Sequence, residues 1–269
     1  DQGSLWEGIR HCNILIENIH NVVDMTEQEM NSWAAEAKFL KAYYHFLLFT
    51  YYGPIPIVDE NLSISATDNE VRVKRSTVDQ SVDYIVQTID DAILDLPVRE
   101  LSSNDLGRID QVIAKSIKSR VLLYAASPLF NGNSEMYSGF VNEDGEHYFN
   151  QAYDQNKWDL ARDASLDAIN AALENGVGLY EFSSTPPNFE DEYEESEFLR
   201  TIYDLKYSIV DKWNSELIWG NSNPVRDPDW WQMQAACMMK NPSASSVEAA
   251  WQWIAPTLRI AELFYTENG

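Results

Sequence analysis

The spacing of apolar and polar residues predicts a long amphipathic helix near the start of the chain. Thr26 and Glu29 have the spacing of a capping box, which satisfies amide groups left free at a helix start. Apolar residues then recur every three or four positions on a single stripe, which comprises Trp33, Ala37, Leu40, Tyr44, Leu47, Leu48 and Tyr51. Gly53 favours the left-handed conformation that ends a helix, and Pro54 prevents its continuation. We therefore predict one helix between Thr26 and Gly53.

Four further stretches show the same periodicity. They are a first helix with the stripe Trp6, Ile9, Asn13, Ile16, Ile19 and Val23, one from near Thr77 to before Pro97, one from Asp110 to Ser127, and one from about Asn156 to Asn175. Small residues in these stretches permit close helix packing. Successive amphipathic helices joined by polar turns are typical of stacked helical hairpins, as in tetratricopeptide repeats. The irregular spacing indicates a degenerate superhelix with an extended concave face.

The pattern changes beyond residue 176. Periodicity weakens, the segment becomes rich in acidic and aromatic residues, and residues 216–221 have the composition of a short strand. We therefore predict an all-α dominated fold, a tetratricopeptide-like helical hairpin superhelix with an irregular loop-rich region and minor short strands. We treat residues 1–269 as one domain, with helical repeats over 1–176 and a loop-rich ligand-binding region over 177–269.

Composition restricts the possible partners. Lys and Arg number 19 against 43 Asp and Glu, which gives a formal net charge of -24. Such a charge repels nucleic acid and anionic membrane surfaces, and it suits a protein that binds neutral ligands. Nine Trp and fourteen Tyr are many for this length, and we expect more than half of them to pack in the core. The remainder can supply stacking surfaces for a ligand.

Other candidate chemistry is sparse. The two cysteines, Cys12 and Cys237, neither require nor exclude a disulfide, and we expect Cys12 to be a buried thiol on a helix. No spacing typical of a metal or cofactor site occurs, and no apolar run reaches the length of a transmembrane helix. A calcium site is an alternative reading of the acidic run 190–195, beside that of a solvated loop. We expect Glu36 to pair with a neighbouring helix rather than to act in catalysis.

The loop at residues 221–232 is the best candidate for ligand contact. Trp230 and Trp231 stand side by side among Pro, Asn and Asp, away from any helical stripe. Indoles stack on the apolar C–H face of a sugar ring, and amide, carboxylate and guanidinium groups bond its hydroxyls. The predicted ligand-binding residues are Trp230, Trp231, Trp213, Asn223, Arg226, Asp227 and Asp229. The alternative is that one or both indoles tuck under the loop as a plug.

Several segments resemble the SusD/RagB family, the surface nutrient-binding lipoproteins of Bacteroidetes. Residues 35–56 resemble the signature helix of that family and its Gly-Pro exit. The other similar segments follow in the family's order: 4–13, 82–97, 107–128, 215–218 and 255–269. The resemblance covers nearly the whole chain. Both ends of the family pattern, including the lipid-carrying N-terminus, are expected to lie outside it.

The resemblance implies a function without catalysis. Members of the family are lipid-anchored on the extracellular face of the outer membrane, where they cap a SusC-like TonB-dependent transporter. They capture an oligosaccharide or polysaccharide, or in some relatives a peptide, for import, and loops outside the repeats hold the ligand. No ligand motif carries over by position. The alternatives are a peptide-binding member of the family, an all-α carbohydrate-active enzyme and a pure protein-interaction scaffold.

Overall fold

A computed structural model of the protein describes residues 4–100, 102–183, 197–221 and 257. The polypeptide divides into two units, residues 1–220 and 221–269, and the helices described below belong to the first. Trp230, Trp231, Asn223, Arg226, Asp227 and Asp229 lie outside the described residues, as does the acidic run 190–195.

The described part of the first unit is built from helices. They are α1 (Leu5–Asn18, continued by a 3-10 turn at Ile19–Asn21), α2 (Glu27–Tyr52), the short α3 (Asp68–Val71), α4 (Val78–Ile93), α5 (Gln111–Ala126), the short α6 (Ser134–Tyr137), α7 (Gln155–Glu174) and α8 (Glu197–Val210). Long helices pack in sequence order, α1 on α2, α2 on α4, α4 on α5 and α5 on α7. The prediction of an all-α fold of stacked helices is confirmed.

Both ends of α2 and the start of α4 are those that the sequence predicts. The Thr26 amide donates to Oε2 of Glu29 at 2.8 Å, which closes the capping box of α2. A second box joins Thr77 and Gln80 at the start of α4. Gly53, with φ 69°, ends α2 in a conformation that a side chain would strain.

The predicted single stripe on α2 is wrong. Trp33 is 46% exposed and Tyr51 is 72% exposed, whereas Phe39, Phe46 and Phe49 are buried. The reason is that α2 lies between α1 and α4 and contacts both, so it needs apolar residues on two faces. The predicted stripe of α1 is also too long, because α1 ends at Asn18 and Val23 lies exposed in the turn before α2.

Two features of the segment after α7 differ from expectation. Residues 197–210 form α8, although the sequence pattern indicated loops there. The predicted strand at 216–221 is instead a series of turns and bends, and the described residues contain one isolated bridge, Val141 with His147, and no strand. The backbone carbonyls of Leu217 and Ile218 accept hydrogen bonds from a side chain rather than from a neighbouring strand.

A polar network joins α2 to the connection that follows it, with Lys41 and His45 buried and Asp59 exposed. Lys41 donates to the Asp59 carboxylate at 2.9 Å, and Val58 donates its amide to Nε2 of the fully buried His45 at 3.2 Å. Asn13 of α1 donates to the Val58 carbonyl at 3.5 Å, as its position within an apolar stripe predicts. Within the described ranges, no helix is both long and apolar enough to cross a membrane.

Candidate functional site

Of the seven predicted ligand-binding residues, Trp213 is the one that lies within the described part of the chain. It lies in the turn after α8 with φ 55°, a left-handed conformation that is uncommon for a residue other than glycine. Its side chain is 37% exposed, and a Cβ atom on Gly220 would lie 3.2 Å from its ring carbons. The indole therefore rests partly on Gly220 while part of it faces solvent. A ligand role for Trp213 stays a prediction.

A cleft beside the start of α2 lacks an aromatic wall. It has a volume of about 520 Å³ between the start of α2 and the end of α4, and its lining consists of Glu27, Gln28, Asn31, Ser32, Leu94, Asp95, Leu96 and Pro97. Most of these side chains are polar, and none offers a ring for stacking. The cleft therefore offers hydrogen bonds and the aliphatic surface of Leu94, Leu96 and Pro97, but no aromatic ring on which a sugar could stack.

A smaller groove between α1 and α2 combines polar groups with aromatic rings. This α1–α2 groove has a volume of about 280 Å³, and its lining consists of Gly8, His11, Cys12, Leu15, Trp33, Glu36, Ala37, Leu40 and Tyr44. Each helix contributes residues three or four positions apart, so one face of α1 lies opposite one face of α2. The floor is apolar, and Trp33, Glu36 and His11 bring aromatic and polar groups to its walls.

Trp33 is held in place by a charged pair. The Cζ atom of Arg108 lies 5.0 Å from the centroid of the Trp33 ring, within the range of a cation–π contact. Nε of Arg108 donates to Oε1 of Glu36 at 3.0 Å, and this hydrogen bond raises the pKa of Arg108. The expectation that Glu36 has a structural partner is confirmed. Arg108 lies in the turn before α5 rather than on a helix.

The other wall of the groove depends on a glycine. A Cβ atom on Gly8 would lie 2.8 Å from Cε2 of Tyr44, so the Tyr44 ring lies across α1 only because residue 8 has no side chain. Cys12 is a buried free thiol, as predicted, and burial raises its pKa to about 11. A thiol with so high a pKa is protonated at neutral pH and is a poor nucleophile or metal ligand. No cluster of His, Cys, Asp and Glu suited to a metal ion occurs among the described residues.

Comparison with known proteins identifies the family. A SusD-like family model, described as starch-binding associating with outer membrane, matches residues 3–123. The solved structure of BT4246 is 30% identical and aligns over 97% of this chain with a TM-score of 0.79. The chain belongs to the SusD-like family. It spans 46% of the length of BT4246.

Other solved structures are similar over less of this SusD-like chain. A SusD-like protein (BF3747) from Bacteroides fragilis NCTC 9343 is 20% identical, with a TM-score of 0.48 over 66% of this chain and 28% of that one. A laminarin-binding SusD-like protein is 28% identical, with a TM-score of 0.41 over 45% of this chain and 25% of that one. No curated protein matches this chain.

Each residue of the family motif at 107–110 has a structural role. Gly107 has φ 95°, and its carbonyl accepts a hydrogen bond from Nε1 of Trp219 at 3.2 Å. Arg108 contacts Trp33 and Glu36, and Ile109 is buried in the core. Asp110 caps α5 by accepting from the Ile113 amide at 2.9 Å. In this SusD-like chain, the motif thus connects the α1–α2 groove, the core and the segment after α8.

The residues that attach the segment after α8 to the rest of the fold are not evident from the sequence pattern. Trp219 packs edge-on against Phe39 and Tyr43 of α2, with ring centroids 5.8 and 5.2 Å apart. Nη1 of Arg99 donates to the Ile218 carbonyl at 3.2 Å and also pairs with Asp110 at 3.2 Å. The available signal was the apolar run at residues 217–219 between polar turns. Its partners lie more than a hundred positions away, so the pattern alone does not specify them.

Proposed function

We propose that this SusD-like chain captures a neutral oligosaccharide or polysaccharide at the cell surface and passes it, chemically unchanged, to a partner transporter. The observation that carries the proposal is the match to a family model described as starch-binding associating with outer membrane. The similarity to BT4246 over 97% of the chain supports extending the assignment beyond residues 3–123. Because the chain spans 46% of BT4246, the proposal concerns the activity of the whole protein.

The chemistry of the chain favours a neutral ligand. A net charge of -24 repels polyanions, and nine Trp with fourteen Tyr supply rings for stacking on sugars. Trp230 and Trp231 remain the proposed primary contacts, with Trp213, Asn223, Arg226, Asp227 and Asp229 around them. Neutral glycans present C–H faces and hydroxyl groups, which match indoles flanked by amide, carboxylate and guanidinium groups.

The proposed setting is the extracellular face of the outer membrane, with a lipid anchor and a SusC-like TonB-dependent transporter as partner. Capture before import requires binding without turnover, so no acid–base pair is assigned and the protein is proposed not to be an enzyme. The family description, starch-binding associating with outer membrane, supports the outer-membrane part of this setting. Co-purification of the tagged protein with a TonB-dependent transporter from native membranes tests the partnership.

Affinity electrophoresis on a panel of neutral and acidic polysaccharides tests the binding. The full chain should be retarded by one class of neutral polysaccharide, and the double variant Trp230→Ala/Trp231→Ala should lose that retardation. Analysis of the same polysaccharide for new reducing ends should find none. Hydrolysis abolished by one Asp or Glu substitution would identify an enzyme instead, and selective retention of peptides would identify the peptide-binding alternative.

A further inference from the structure

We propose that the α1–α2 groove is a second subsite for a neutral sugar ring, which stacks on Trp33 and bonds to polar groups at the rim. The inference rests on the proposed function, because it assigns part of the captured glycan to a place in the helical repeats. It assigns ligand contact to residues outside the 221–232 loop.

The volume of the groove selects the type of occupant. The groove has a volume of about 280 Å³. Small-molecule sites begin at about 300 Å³, so the groove is suited to one small, compact ligand group. A sugar ring is such a group.

Trp33 is both fixed by its neighbours and exposed within the groove. Arg108 holds the indole with its guanidinium 5.0 Å from the ring centroid, and Glu36 and Asp105 in turn hold Arg108. The indole nevertheless remains 46% exposed within the lining of the groove. A ring fixed before binding loses little conformational entropy on contact with a ligand.

The electrostatics of the groove select a neutral sugar. Glu36 is neutralised by Arg108, so neither charge is left for an acidic or basic ligand group. Burial raises the pKa of Tyr44, which keeps its hydroxyl protonated and able to donate a hydrogen bond. His11 is exposed on the α1 side and adds a polar ring. Sugar hydroxyls both donate and accept, so they can bond to groups of this kind.

The test compares single-residue variants of the full chain by isothermal titration with the neutral polysaccharide that retards it. Trp33→Ala removes the stacking ring, Trp33→Phe keeps a smaller one, and His11→Ala removes a rim group. The matched control is Trp6→Ala, because Trp6 is 38% exposed on α1 but does not line the groove. Circular dichroism checks that each variant keeps its helix content.

Trp33→Ala should weaken binding about tenfold, which corresponds to the loss of one good stacking contact, with a smaller loss for Trp33→Phe. Trp6→Ala should bind as the unchanged chain does. If Trp33→Ala binds normally while Trp230→Ala/Trp231→Ala does not, the groove is not a subsite and the proposed function stands. If the unchanged chain binds no polysaccharide, the proposed function fails and this inference fails with it. Preference for uronate-bearing or sulfated polysaccharides would overturn the neutral assignment.

Discussion

Helices α4 and α8 have similar amphipathic sequences, but the apolar face of α4 is buried and that of α8 is exposed to solvent. In α4, six residues are buried: Val78, Ser81, Val82, Ile85, Ile89 and Ala92. In α8, no residue is buried, and large apolar side chains such as Leu205, at 66% exposure, face solvent. The difference lies in the neighbours, because α4 packs between α2 and α5 whereas α8 is attached through aromatic contacts at one edge.

The comparison separates the formation of a helix from its burial. Periodicity describes which side chains share a face, but the gain in free energy comes from what that face contacts. Near α8, Phe182 stacks on Tyr207 with centroids 4.3 Å apart, and its amide donates to Asp204 at 2.7 Å. These contacts fix one side of the helix and leave Leu205 and Ile209 exposed. Stability should therefore be distributed unevenly between the two regions.

The largest expected effect is the truncation of a core residue in α4. Ile85 is fully buried, so Ile85→Ala removes apolar contacts and leaves a cavity. We expect the free energy of unfolding to fall by about 2–5 kcal/mol. Urea denaturation followed by circular dichroism measures the change. A loss below about 1 kcal/mol would mean that α4 is not part of the central core, and the contrast with α8 would disappear.

Local signals explain why the helix boundaries are predictable from the sequence. The Thr26–Glu29 box, the Thr77–Gln80 box and the Asp110 cap each involve residues three positions apart. Burial depends on partners that are distant in sequence, and there the prediction for α2 failed. The pattern places Trp33 on the single apolar stripe of α2, but in the structure Trp33 lies in the groove wall beside Arg108. The position of Arg108 next to Trp33 follows only from the packing of α5.

The sequence predicts the chemistry of the candidate site but not its position or shape. The excess of indoles indicates stacking surfaces, but the sequence does not show which indoles fold into the interior. Trp219 appeared in a predicted strand and is instead an anchor on Phe39 and Tyr43. The α1–α2 groove requires Gly8 to admit Tyr44, a contact that no local pattern encodes. The sequence pattern places α1 and α2 next to each other but does not predict the shape of the surface between them.

The next largest expected effect is a loss of stability at acidic pH, caused by the buried His45 beside α4. Burial lowers the pKa of His45 to about 4, and its ring contacts Tyr84 of α4 at 5.1 Å between centroids. Unfolded histidine has an ordinary pKa near 6.5, so above that value His45 is neutral in both states. As the pH falls from 6.5 towards 4, the unfolded state binds the proton first, and stability falls by about 3 kcal/mol.

Urea denaturation at pH 7 and pH 4.5 of the unchanged chain and of His45→Gln isolates this contribution. Carboxylates such as Asp59 titrate in both proteins, so the difference between them reports His45. The variant should lose less stability on acidification than the unchanged chain does. Equal losses would mean that His45 is protonated in the folded state. Helix α8 contains no histidine, so the effect belongs to the α2–α4 side alone.

Replacing a threonine that caps a helix should have a smaller effect on stability, and the chain contains a matched pair of such threonines. Thr77 begins the 16-residue α4, and Thr67 begins the four-residue α3, in which no residue is buried. Each amide donates to the side chain three positions later, Gln80 or Glu70. Thr77→Ala should cost about 1 kcal/mol, because α4 is part of the core, whereas Thr67→Ala should cost almost nothing. Equal costs in urea denaturation would show that the cap acts locally and does not depend on packing.

The smallest expected effect is on α8 itself. Leu205→Ala shortens a side chain that is 66% exposed, so it removes few contacts and leaves no cavity. Alanine also has a slightly better helix propensity than leucine, which offsets part of the loss. We expect a change within about 0.5 kcal/mol, measured in the same urea series as Ile85→Ala. A loss comparable to that of Ile85→Ala would mean that the α8 face is covered in solution, and exposure would no longer distinguish the two helices.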